Sequence, residues 1–77
     1  MTLKELKTGM IFKDINGTID GAKSIVNSKW YKLELTNTDI EILSPKKKIG
    51  DSGAYVWVKL FNDFEFLIPW SDLKPIL

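Results

Sequence analysis

Turn-forming pairs interrupt this chain every few residues, and that spacing constrains its fold more than any other feature. Thr8-Gly9, Asn16-Gly17, Asp20-Gly21, Asn27-Ser28, Thr36-Asn37, Ser44-Pro45, the stretch from Gly50 to Gly53, and Asn62-Asp63 all carry residues that tolerate tight backbone geometry. Short segments rich in Ile, Val, Trp, Tyr and Phe lie between them. Strands this short and this often interrupted belong to a sandwich or a barrel. The strands expected are Met10–Lys13, Ala22–Val26, Trp30–Leu35, Ile40–Leu43, Tyr55–Phe61 and Phe64–Ile68, with a short terminal strand near Lys74–Leu77. The expected fold class is therefore mostly β: one small barrel domain over 1–77, of five to seven short antiparallel strands with one short 3-10 turn near the C-terminus. Thr2–Lys7 reads either as one helical turn, with Thr2 as N-cap and Glu5 completing a capping box, or as a frayed extended terminus.

Size sharpens this reading. A chain of 77 residues has room for one core and buries only about 60–65% of the surface that its unfolded form exposes. It contains no Cys and no His, so neither a disulfide nor a zinc ribbon can supplement that core. The hydrophobic fraction of 44%, with Trp30, Trp57, Trp70 and four Phe, suits a packed interior and argues against disorder. The start MTLKELKTGMIF has no apolar run of signal-peptide length, and no segment approaches a membrane span. The expected address is cytoplasmic, with no membrane partner, and the Lys-, Ile- and Asn-rich usage associates with bacterial or phage genomes.

The hairpin YVWVKLFNDFEFLIP is the strongest local signal. A two-residue turn at Asn62-Asp63 pairs Phe61 with Phe64, Lys59 with Phe66, Trp57 with Ile68 and Tyr55 with Trp70 on one face. Leu60, Val58 and Val56 then share the other face with Glu65, Leu67 and Pro69. Both faces are largely apolar. Either the hairpin presents a surface beyond its own core, or a curled barrel with the Trp30 segment or the N-terminus covers the second face. Trp57 and Phe66 are the expected core rings, and Phe64 and Trp70 the expected exposed ones.

Two stretches resemble parts of a Src-homology-3-like barrel. ELKTGMIF is similar to that fold's diverging turn, and VWVKLFNDFEFLIPWSDLKPIL to its distal hairpin, helical turn and last strand. Between them, GMIFKDINGTIDGAKSIV is similar to the strand-loop-strand of KOW-type and Tudor-type barrels. The resemblance implies a small barrel and no particular activity. Peptide-binding members hold polyproline between aromatic rings. Here Val56 stands at the ligand-stacking Trp position and Asp72 at the late Tyr position, leaving only Pro69 of that pocket, so no polyproline ligand is expected. Lys59 falls where the family has an apolar core residue.

Chemistry is constrained by what is missing. Without His or Cys, the commonest general base and the thiolate nucleophile are gone, and Ser24, Ser28, Ser52 and Ser71 would need a Lys or a carboxylate as base. Asp39 and Glu41 alternate on a strand as a carboxylate pair would, but Ile40 and Ile42 beside them make a half-buried strand with a wet face the simpler reading. Asp51, Asp63 and Asp72 have no calcium-loop spacing. No enzyme, cofactor or metal site is expected.

Binding remains. Aromatic residues Phe64, Trp70 and Tyr55 are the candidate contacts for a protein partner or for self-association. The alternative is a non-specific RNA- or DNA-binding barrel. In it Lys46, Lys47 and Lys48, on the expected loop Ser44 to Gly53, grip phosphates while Trp30 and Tyr31 stack on bases. A net charge of +1 and the absence of Arg place this second.

Overall fold

The computed structural model describes residues 2–48 and 53–77, without the side chains of residues 46–48. Four antiparallel strands, β1 (Ile11–Ser24), β2 (Trp30–Lys48), β3 (Ala54–Leu60) and β4 (Phe64–Pro69), close into a barrel in the order β1-β2-β3-β4. A 3-10 turn at Leu3–Glu5 precedes them. A four-residue helix, α1 (Trp70–Leu73), and a 3-10 turn at Lys74–Ile76 follow. Among the described residues no helix is long and apolar enough to cross a membrane.

Four strands stand where five to seven were expected, because the chain uses its turn residues to bend strands instead of ending them. The expected strands at Met10–Lys13 and Ala22–Val26 merge into β1, and those at Trp30–Leu35 and Ile40–Leu43 merge into β2. Register shifts mark the bends, between Phe12 and Ile15, Ile15 and Gly17, and Ile19 and Ala22 of β1. Asp14 at φ 55° and Gly17 at φ 153° supply the irregular backbone there, as does Asn37 at φ 46° in β2. Bulges of this kind increase local twist, which is what lets a 14-residue and a 19-residue strand wrap a small core.

The expected loop from Ser44 to Gly53 is shorter for the same reason. β2 continues to Lys48, with a register shift between Ser44 and Lys47 that accommodates Pro45, which has no N–H to give to a ladder. Residues 49–52, including Asp51 and Ser52, lie outside the described residues. The short strand expected near Lys74–Leu77 is a 3-10 turn instead. Pro75 sits in its first turn, where a fixed φ and a missing N–H suit a helical start and not a strand ladder.

The β3–β4 hairpin forms where expected, with Ala54–Leu60 in place of Tyr55–Phe61 and Phe64–Pro69 in place of Phe64–Ile68, and its register is shifted by one residue. Leu60 pairs with Phe64, so the connection is the three-residue loop Phe61-Asn62-Asp63, with Phe61 at φ 52° and Asn62 at φ 71°. A one-residue slip exchanges faces. Val56/Ile68, Val58/Phe66 and Leu60/Phe64 now share the core face, and Tyr55/Pro69, Trp57/Leu67 and Lys59/Glu65 the outer one. The new register explains Lys59: it lies opposite Glu65 and 3.9 Å from the Glu41 carboxylate on the wet side. Phe66 is a core ring, whereas Trp57 is half-buried on the outer face and donates its indole N–H to Glu65 Oε1 at 2.9 Å.

Ile19, Ile40, Ile42, Val56, Val58, Leu60, Ile68 and Leu73 are fully buried, and each contributes about 1.5–3 kcal/mol of apolar transfer. Asp39 and Glu41 flank Ile40 on the opposite side of β2, as the alternation implied, with Asp39 exposed and Glu41 half-exposed. The N-terminus closes one end of the barrel. Gly9 N–H donates to Ile42 O at 2.8 Å and Ile42 N–H to Met10 O at 2.9 Å, which seats Leu6 in the core. The Glu5 carboxylate accepts from both the Thr2 N–H and the Thr2 hydroxyl at 3.1 Å, completing the capping box over Leu3–Glu5.

Candidate interaction surface

The connection between β1 and β2 is a tight turn whose polar groups are satisfied locally. Ser28 N–H donates to Ser24 O and Ser24 N–H to Lys29 O, both at 2.9 Å. Asn27 works in two directions: Oδ1 accepts from Lys29 N–H at 3.0 Å, and Nδ2 donates to Tyr31 Oη at 2.8 Å. Ile25 N–H reaches Glu65 O at 3.1 Å, tying the turn to β4 where β1 closes the barrel through Lys23↔Leu67 and Ser24↔Phe66. The result is a rigid turn that holds two apolar side chains outward. Val26 is 87% exposed and Ile25 38%.

Below this turn lies a groove of about 300 Å³, with Val26, Tyr31, Leu33, Phe64 and Phe66 supplying its apolar lining. The Tyr31 ring meets Phe66 edge-on, with centroids 6.3 Å apart. Phe64, 59% exposed, stands at the rim and meets Phe61 edge-on at 6.5 Å. Glu65 is the charged residue of the lining, and its carboxylate is engaged by the Trp57 indole. Exposed apolar groups scattered singly are ordinary on a protein surface; a contiguous set around a groove is not.

The neighbouring depression, of about 550 Å³, is polar and acidic, lined in part by Asp14, Glu34, Asp39, Phe61 and Asn62. Asp39 Oδ1 accepts the Asp14 N–H at 3.2 Å, so one carboxylate is occupied in stabilising the bent backbone. Among the described residues no group of three or more acidic side chains is arranged to hold a metal ion.

The aromatic residues singled out in the sequence do not form one surface. Phe64 is at the groove. Tyr55, 9% exposed, lies under Trp30 with ring centroids 6.3 Å apart, and Trp70 is half-buried against the core as the first residue of α1. Trp30 and Tyr31, neighbours in β2, face opposite ways as strand alternation requires. Tyr31 enters the groove, while Trp30, 55% exposed, carries the Lys23 ammonium 5.9 Å from its ring. Lys46, Lys47 and Lys48 end β2, with Lys47 opposite Tyr55 in the register, and their side chains lie outside the described residues. Val26 was the residue missed. Its position beside a turn carried no signal, since Leu35 beside Thr36-Asn37 and Ala22 beside Asp20-Gly21 are buried.

No family model matches the chain, and comparisons with curated proteins and with solved structures return no match. The class is defined by fold and site alone: a small closed four-stranded β-barrel with an apolar groove beneath its first hairpin turn.

Proposed function

We propose that this barrel is a protein-interaction module, and that its contact surface is the groove framed by Val26, Tyr31 and Phe64. One observation carries the reading: large apolar side chains stand exposed around a groove on a hydrogen-bonded turn, while the core is closed beneath them. Rigid apolar anchors around a recess are what protein interfaces use, because they bury area at small entropic cost. The Src-homology-3-like resemblance is kept as part of this proposal at the level of barrel type. A polyproline ligand is not, since Val56 at the stacking position is fully buried. The module fits an accessory protein of bacterial or phage origin acting in the cytoplasm, and it performs no catalysis.

A photo-cross-linker placed at Val26 or Phe64 tests this in the native host. Protein adducts are expected from those two positions and not from exposed Thr18 or Lys74; equal labelling from all four would overturn the reading. Exposed Trp30 with Lys23 over its ring favours a second reading, single-stranded nucleic acid stacked on Trp30 and held by Lys46, Lys47 and Lys48. In that case oligonucleotide anisotropy falls steeply with salt, and the Lys46/Lys47/Lys48→Ala triple variant or Trp30→Ala abolishes it.

A further inference from the structure

Resting on the interaction reading, we infer that the occupant of the groove is a second copy of this chain, docked about a two-fold axis. A two-fold contact needs one patch to carry both a projection and the recess that receives it. This patch does: Phe64 and Val26 project at the rim, and Tyr31, Leu33 and Phe66 line the recess beside them.

Charge constrains the same geometry. The indole N–H of Trp57 orients the Glu65 carboxylate without cancelling its charge, so a two-fold pair has to keep the two Glu65 carboxylates apart. The patch is also electrically graded. Exposed Lys29 lies on the turn beside Val26, and Asp14, Glu34 and Asp39 surround Phe61 beyond the other end. A two-fold axis perpendicular to this gradient reverses one copy along it and sets the basic end of each against the acidic end of the other.

The area is sufficient for a weak, transient pair. An aromatic side chain can bury roughly 150–250 Å². With Val26, Phe64, Phe61, Tyr31 and Ile25 exposed by 87, 59, 45, 40 and 38%, the groove and the rings beside it offer at most about 500 Å² per copy, or about 1,000 Å² in a pair, within the range of weak, transient contacts. A contact this small is weak, so association is looked for up to millimolar concentration.

Sedimentation equilibrium on the full chain from about 10 µM to 1 mM reads this directly. The mass is expected to climb from the 8.8 kDa monomer toward twice that value, with higher salt shifting the midpoint upward. Val26→Asp and Phe64→Asp should each weaken association at least ~10-fold, about 1.4 kcal/mol, with the amide NMR spectrum of the barrel retained. Ile11→Ser, an uncharged change at an exposed position outside the groove, should leave association unchanged. Val26 is the decisive site, since its exposure leaves little fold to disturb. A chain that stays monomeric to 1 mM, or a dimer indifferent to Val26→Asp, overturns the inference. If cross-linkers at Val26 and Phe64 still trap another protein while the chain is monomeric, the self-pairing fails and the interaction reading survives. If they trap nothing, both fail.

Discussion

Gly17→Ala is the substitution whose cost can be worked most directly from the structure. Gly17 adopts φ 153°, a conformation L side chains rarely take, at one of the bends of β1. A methyl group there would lie 2.5 Å from Ile76 Cγ2 and 3.2 Å from Ile76 Cβ. The backbone conformation costs about 1–3 kcal/mol for a residue with a Cβ. Forcing a methyl into an occupied site costs about 1–3 kcal/mol more. Together they predict a loss of about 2–6 kcal/mol, against a total stability of roughly 4–12 kcal/mol for a chain this size. Urea denaturation followed by Trp fluorescence should show a large drop in midpoint. The contributions separate in large part in the Gly17→Ala/Ile76→Ala double variant, which removes the 2.5 Å contact but keeps the 3.2 Å contact to Cβ and the strained backbone. It should recover part of the loss relative to Ile76→Ala alone, and not all of it. A Gly17→Ala protein within about 0.5 kcal/mol of wild type would refute the bend at Gly17 and the docking of the C-terminal turn upon it.

Other expectations concern single contacts. Trp57→Phe removes the indole donor to Glu65 and should destabilise the hairpin by about 1–2 kcal/mol, read from denaturation midpoints. Glu65→Gln, which keeps an acceptor, should cost less. Glu41→Gln breaks an ion pair that is 3.9 Å long and more than one-third exposed on both sides, and should change stability by less than about 0.5 kcal/mol. The Thr2 N–H and then the Thr2 hydroxyl, both donating to Glu5, hold its carboxyl below the usual carboxylate range. Because the folded value is depressed, the N-terminal turn keeps its cap at neutral pH and loses it as pH falls through that lowered value. A titration of the Thr2 amide resonance should show the transition, and Thr2→Ala should move the Glu5 titration back up.

The barrel was legible where residue type and structural role coincide. The burial of Ile40 and Ile42 and the two strands of the last hairpin follow from pattern, while the Thr2/Glu5 box was one of two readings of the N-terminus, and the structure selects it. Strand number was not legible, because Asn16-Gly17 and Thr36-Asn37 satisfy a bulge as readily as a turn, and only closure of the barrel selects the bulge. The hairpin register failed at Phe61. A bulky aromatic at φ 52° announces nothing in sequence, yet it lengthens the loop by one residue and exchanges the faces of β3. That exchange turned Lys59 from an anomaly into a surface residue. The surface itself was half legible: Phe64 beside a turn was expected outside, whereas the groove required knowing that Tyr31 reaches Phe66 and that Asn27 pins the turn carrying Val26.

The central claim is that the groove beneath Val26 and Phe64 is where another protein surface lands, its own copy first. A dilution series of amide NMR spectra from about 1 mM to about 10 µM tests it most directly. The account predicts concentration-dependent shifts centred on Val26, Asn27, Tyr31, Leu33 and Phe64, with the Trp30 and Trp70 indoles unmoved. Spectra that do not change with concentration, or shifts centred on Trp30 and Lys23, would contradict it.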